Sequence, residues 1–180
     1  DYYLGKQQKF LKVKEEEPDD NVILNVVRMV VDRTVNFLYP QVPEFYTIDG
    51  QTVTESPSLQ WVYDMFIFNG GLSFFHKAMI IGMLSGHVYV RIVPPNTAIG
   101  EVYPKLVPLS PKNVQTYWRS GDFNEVLWHE VSWKSGDVQY VIDFINNGGS
   151  WSIRQYKYEK GWELMPEKSG EWDSPYSPIV

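Results

Sequence analysis

The sequence predicts an α+β domain in which N-terminal helices pack on a mostly antiparallel β-meander. Three observations carry that reading. Up to Gly86, apolar residues recur at helical spacing. From His87 onward they alternate, with a period of two. Gly-containing turns at Ser120-Gly121, Ser135-Gly136-Asp137 and Asn147-Gly148-Gly149 then punctuate the strands at hairpin spacing. Helices first and strands afterwards is the α+β order, not the alternation of a parallel sheet. The expected boundaries are an arm and acidic loop over 1–20 and a single α+β domain over 21–180. Within it, helices occupy about 21–86 and strands about 87–165, and a chain of 180 residues is the length of one domain.

The elements follow in order. Glu15-Glu16-Glu17-Pro18-Asp19-Asp20 reads as a solvated loop whose charge favours the N-terminus of a following helix. Asn21 is a suitable N-cap. Ile23, Val26, Val27, Val30, Thr34, Phe37 and Leu38 then share a helical stripe, ended by Pro40 and Pro43. The Ile23/Val26/Val30/Phe37 face of this helix is expected to pack on a sheet face carrying Val88, Val90 and Ile92. Phe45 to Ile48 reads as a short strand before the Asp49-Gly50 turn. Ser56-Pro57 opens a second helix to Phe68, with Pro at its first position. Asn69-Gly70-Gly71 breaks it, and a third helix runs from Leu72 to Leu84. Between Leu59 and Leu84 the only ionisable side chains other than Tyr are Asp64, His76 and Lys77. Helices so apolar on all sides belong either in a core or against another chain.

Strands are expected at Val88–Ile92, in short or edge pieces among Pro104, Pro108 and Pro111, at 113–118, 123–133, 138–145, 151–158 and 162–165. Val138, Tyr140, Ile142 and Phe144 share one face of the fifth of these. Ile179-Val180 reads as the start of a further strand, and the chain as an excerpt whose continuation lies beyond Val180.

Composition sets limits on the chemistry. There is no Cys, so no disulfide, thiolate metal site or thiol nucleophile. The net charge of −6 argues against a DNA-gripping footprint over the whole surface. No apolar run reaches the ~18 residues of a membrane span. His76, His87 and His129 are not at metal-ligand spacing, and His129-Glu130 is followed by Trp133 where a zinc protease has its second His. Nucleophile-elbow, dinucleotide and Walker A patterns are missing. No catalytic, cofactor-binding or metal residue can be nominated. Trp118, Trp128, Trp133, Trp151 and Trp162 lie on or beside strands. As strand residues they serve a core, anchor a protein interface or stack on a ligand. A Trp-rich sheet holding carbohydrate or peptide, and a hydrolase with an unmotivated carboxylate pair, are the readings from composition alone.

The order of segments resembles tailed-phage portal proteins. Tyr2-Tyr3-Leu4-Gly5-Lys6-Gln7 is similar to their Y-Y-x-G-x-Q opening. Asn25-Val26-Val27-Arg28-Met29-Val30-Val31-Asp32 is similar to N-x-x-x-x-(I/V)-V-D on a portal helix. Gly86-His87-Val88-Tyr89-Val90 resembles the strand G-x-(A/V)-Y-(V/I), and Pro108-Leu109-Ser110-Pro111-Lys112-Asn113-Val114 the x-x-P-x-x-V segment after it. Asp122 and the meander keep the family's order, and Ser177-Pro178-Ile179-Val180 resembles I-P-V-V. Each motif is short; the ordered set spans almost the whole chain.

The resemblance implies an N-terminal, wing-type portion of a non-enzymatic structural protein in the virion, not secreted. Portals form a ring, usually of twelve subunits, at one capsid vertex. Double-stranded DNA passes through without sequence-specific contact; capsid or scaffold, terminase and head-completion proteins attach. It implies no cofactor and no membrane. Subunit contacts are expected at Trp61, Phe68, Phe74, Trp128 and Trp151.

Overall fold

The computed structural model describes residues 3–4, 25–50 and 52–180. Three helices come first: α1 (Val26–Leu38), α2 (Pro57–Phe68) and α3 (Leu72–Ser85). Eight strands follow: β1 (Tyr89–Val93), β2 (Lys105–Leu109), β3 (Val114–Arg119), β4 (Asp122–Ser135), β5 (Val138–Asn146), β6 (Trp151–Tyr158), β7 (Trp162–Leu164) and β8 (Gly170–Trp172). The arrangement is α+β, as the sequence predicts. The acidic loop, Asn21 and Ile23 lie outside the described residues; the N-cap of α1 is Asn25 instead of Asn21, its side-chain oxygen accepting from the N–H of Arg28 at 2.9 Å.

β3 to β7 form an antiparallel meander in chain order. β8, which the sequence reading lacked, pairs with the start of β6 (Trp151 opposite Trp172), while β7 pairs with its end (Tyr158 opposite Trp162). β1 and β2 make a separate two-stranded sheet, Tyr89 opposite Leu109. Pro108 sits in β2, a strand with no partner but β1, where its missing N–H costs no ladder bond. The C-terminal residues close the other side of β1. The N–H of Val180 donates to the carbonyl of Val90 at 3.0 Å, and the N–H of Ile92 to that of Pro178 at 2.8 Å.

The core lies between these two sheets. Val114, Val131, Ile142, Phe144, Trp151 and Ile179 are buried together, with Tyr89, Leu109, Val126, Trp133, Ile153 and Trp172 packed around them. Strand register explains the set. Val114, Val131 and Ile142 lie opposite one another on β3, β4 and β5, and Phe144 opposes His129 and Ile153. Successive side chains point to opposite faces of a strand, so these residues share one face. Ile142 and Phe144 are the fully buried members of the face predicted for this strand.

The helices join this body through the small sheet, α3 packing on α1 and on β2. α2 and α3 begin and end where the sequence puts them. Pro57 occupies the first turn of α2 after Ser56, and Gly86 closes α3 at φ +87°, a left-handed conformation that a Cβ would strain. Asn69 fixes the turn between them: its amide donates to the carbonyls of Met65 and Pro104, and its oxygen accepts from the N–H of Leu106.

Two local expectations are corrected. Residues 45–47 belong to no strand and Ile48 lies in a turn, so the expected strand does not form. α1 also buries a different face. Val26, Val30 and Phe37 are exposed, and Val31 and Val35 are buried. The cause is Tyr39, one turn beyond Val35. Its ring stacks on Phe75 and its carbonyl accepts from His76 Nε2 at 2.8 Å, which rotates the 31/35/39 stripe onto α3.

Candidate assembly surface

The five residues expected at subunit contacts separate into two groups. Trp61 and Phe68 stand on α2 and are 43% and 44% exposed. Their inner edges lean on one ring, Tyr103, at centroid distances of 5.7 and 5.9 Å. Tyr103 is held near Asp64, which accepts a hydrogen bond from Gln60 Nε2 at 2.8 Å. The single acidic residue of α2 is thus half-buried, and the exposed strip beside it stays apolar. Ile67 of α2 and, separately, Met83 and Leu84 of α3 are exposed too; composition marks these helices as apolar but does not say which side chains the fold leaves outside.

Phe74, Trp128 and Trp151 are placed differently. Phe74 is buried against Phe66 and Phe75, in a ring cluster that Phe45 and Tyr39 join. Trp151 is buried in the main core. Neither presents a surface to a partner. Trp128 is half-buried on the sheet face away from the core, stacked on Tyr117 at 4.1 Å. Alternation along β4 is what puts Trp128 outside and His129 inside.

His129 is the buried polar residue of the core. Its Nδ1 shares a hydrogen bond with the Thr116 hydroxyl at 2.9 Å, and its ring stacks on Trp151 at 5.8 Å and meets Tyr89 edge-on. Burial pulls its pKa down from 6.5 to about 4, because the charged imidazolium would lose its hydration there. Arg91 enters the same core from β1, its guanidinium 5.2 Å from the centre of the Phe144 ring. The group supports the fold; His129 lies in packed surroundings with no second His or carboxylate bonded to it. Among the described residues no group of three or more His, Asp or Glu could hold a metal ion.

A second apolar strip runs along α1, where Val26, Val30 and Phe37 face outward. At the base of that helix three motif residues meet. The Asn25 amide donates to the carbonyl of Tyr3 at 2.8 Å, and the Tyr3 hydroxyl donates to Asp32 at 2.7 Å. No family model matches the chain, and a comparison with curated proteins finds no match. Among the described residues no single helix is long and apolar enough to cross a membrane; α2 and α3 are bent 70° at their break.

Proposed function

We propose that the chain carries the wing-type region of a tailed-phage portal protein. In this reading it is a non-enzymatic, structural subunit of the ring at one capsid vertex. Double-stranded DNA passes through that ring during packaging and ejection, and terminase, capsid and head-completion proteins attach to it. The observation that carries the proposal is the ordered set of segment matches from Tyr2-Tyr3 to Ser177–Val180, seen together with where those segments lie.

Segments distant in sequence are partners in space. Tyr3 of the opening motif bonds Asn25 and Asp32 of the helix motif, which are the first and last residues of that match. Val90 of the G-x-(A/V)-Y-(V/I) strand exchanges backbone hydrogen bonds with Val180 of the I-P-V-V segment. Residues that bond one another in this way give a reason for short motifs to occur as a set. Two outward apolar strips, on α1 and on α2, suit a heterologous contact in which different surfaces of successive subunits meet and the rotation closes a ring. The net charge of −6 suits a passage that DNA slides through, since strong phosphate contacts would hold it.

Negative-stain electron microscopy and native mass measurement of the protein at its full encoded length test this. Rings with a central hole and a mass near twelve subunits are expected. A monomer at high protein concentration would overturn the proposal.

A further inference from the structure

The outer face of the meander carries a groove of about 320 Å³, lined by Glu130, Gln139, Val141, Asp143, Tyr156 and Trp162. Register puts these side chains on one face. Glu130 opposes Asp143, Val141 opposes Tyr156, and Gln139 and Trp162 both lie opposite Tyr158. Val141 is the buried floor although it points away from the core. Tyr156 and Trp162 are the walls, and Trp162 is 55% exposed, its ring at 52° to that of Tyr158.

Two carboxylates sit at the end of this aromatic groove, and no basic side chain lines it. Arg154 opposes Asp143 in register and Lys134 opposes Gln139, but both are exposed. The four salt bridges among the described residues include neither Glu130 nor Asp143. Burial, and after it the charge of Glu130, hold the Asp143 carboxyl above the usual carboxylate range, against a smaller opposite pull from Arg154. The groove therefore has π-faces, a negative charge that the exposed Arg154 offsets only in part, and an apolar floor.

We propose that this groove receives the arginine side chain of a partner protein. A guanidinium is flat enough to lie on Trp162 or Tyr156, and its planar fork matches a carboxylate. Its methylenes would cover Val141 while its charge relieves the repulsion between Glu130 and Asp143. Partly buried aromatic and arginine anchors of this kind are where interfaces concentrate their energy. The inference stands on the groove alone and does not depend on the ring.

The test uses the whole chain and two probes, acetyl-Gly-Arg-Gly-amide and the same peptide with citrulline, followed at the Trp162 indole N–H by NMR. The arginine peptide should shift that resonance saturably, and citrulline should bind at least about tenfold more weakly. The E130Q/D143N double variant removes charge repulsion, so it should fold with an unchanged or higher Tm while losing the arginine response. Trp162→Ala should lose it too, read at neighbouring backbone amides. Equal response to citrulline, retention of binding in E130Q/D143N, or no shift would overturn the proposal. So would a saturable response to a hexose in place of arginine. Loss of self-association in E130Q/D143N by sedimentation would replace the heterologous partner by a second copy of the chain.

Discussion

His129 is a neutral imidazole in a place that will not accept a charged one. Its ring is 5% exposed and its surroundings are the rings of Trp151 and Tyr89, the Thr116 hydroxyl, and beyond Phe144 the cation of Arg91. The folded pKa of about 4 lies below the ordinary 6.5, so between those values the unfolded chain binds a proton that the folded one refuses. Stability from this residue is complete above the unfolded value and is lost as pH falls through the folded one. The full shift corresponds to about 3 kcal/mol. Urea unfolding at pH 7 and pH 4.5 should show a loss in the parent of about 2–3 kcal/mol more than in His129→Gln, where the side chain keeps a hydrogen bond to Thr116 but cannot titrate. Equal pH slopes in the two proteins would refute a buried neutral imidazole. The sequence shows His129 on a strand; whether that strand turns His129 or Trp128 inward depends on its register with β3 and β5.

α1 shows what periodicity decides and what it leaves open. Valine occupies both sides of this helix, so two stripes compete: 26/30/37 and 31/35. The first looks better in a window that stops at Leu38. The second wins because Tyr39 continues it past the last helical residue and docks on Phe75 and His76. Val30→Asp should therefore change stability by no more than about 0.5 kcal/mol, whereas Val35→Asp, which buries an unpaired charge, should cost at least about 3 kcal/mol. Thermal melts of the two variants give the answer, and a larger cost at position 30 would mean that α1 is rotated. α2, α3 and the meander from β3 to β7 were legible because local chemistry marks their ends: Ser56-Pro57, Asn69-Gly70-Gly71, Gly86 and the Gly turns. β8 and the pairing of Ile179 with β1 were not. Each is a short edge contact fixed by a distant strand, and three residues carry no period.

The described residues bury a main core at the sheets and a smaller cluster of rings at the helices, and leave apolar side chains outside elsewhere. Trp61, Ile67 and Phe68 lie outside on α2, two of them around Tyr103, and exposed apolar side chains grouped in that way mark an interaction surface. Composition pointed to α2 and α3, and the sequence reading expected subunit contacts at Trp61 and Phe68. It also pointed to Phe74 and Trp151, because a list of large aromatics does not distinguish a core from an interface. The distinction supplies the test. Replacing Trp61 and Phe68 by Ser removes exposed area and the inner-edge contacts to Tyr103, so monomer stability should fall by no more than about 1–2 kcal/mol. Self-association, followed by sedimentation across a concentration series, should weaken by at least about tenfold. Trp151→Ser should do the reverse, lowering the melting temperature steeply by opening the core beside Phe144 and His129. If W61S/F68S associated like the parent, the α2 strip would not be the seat of assembly, and the outward stripe of α1 would be the next apolar surface to vary.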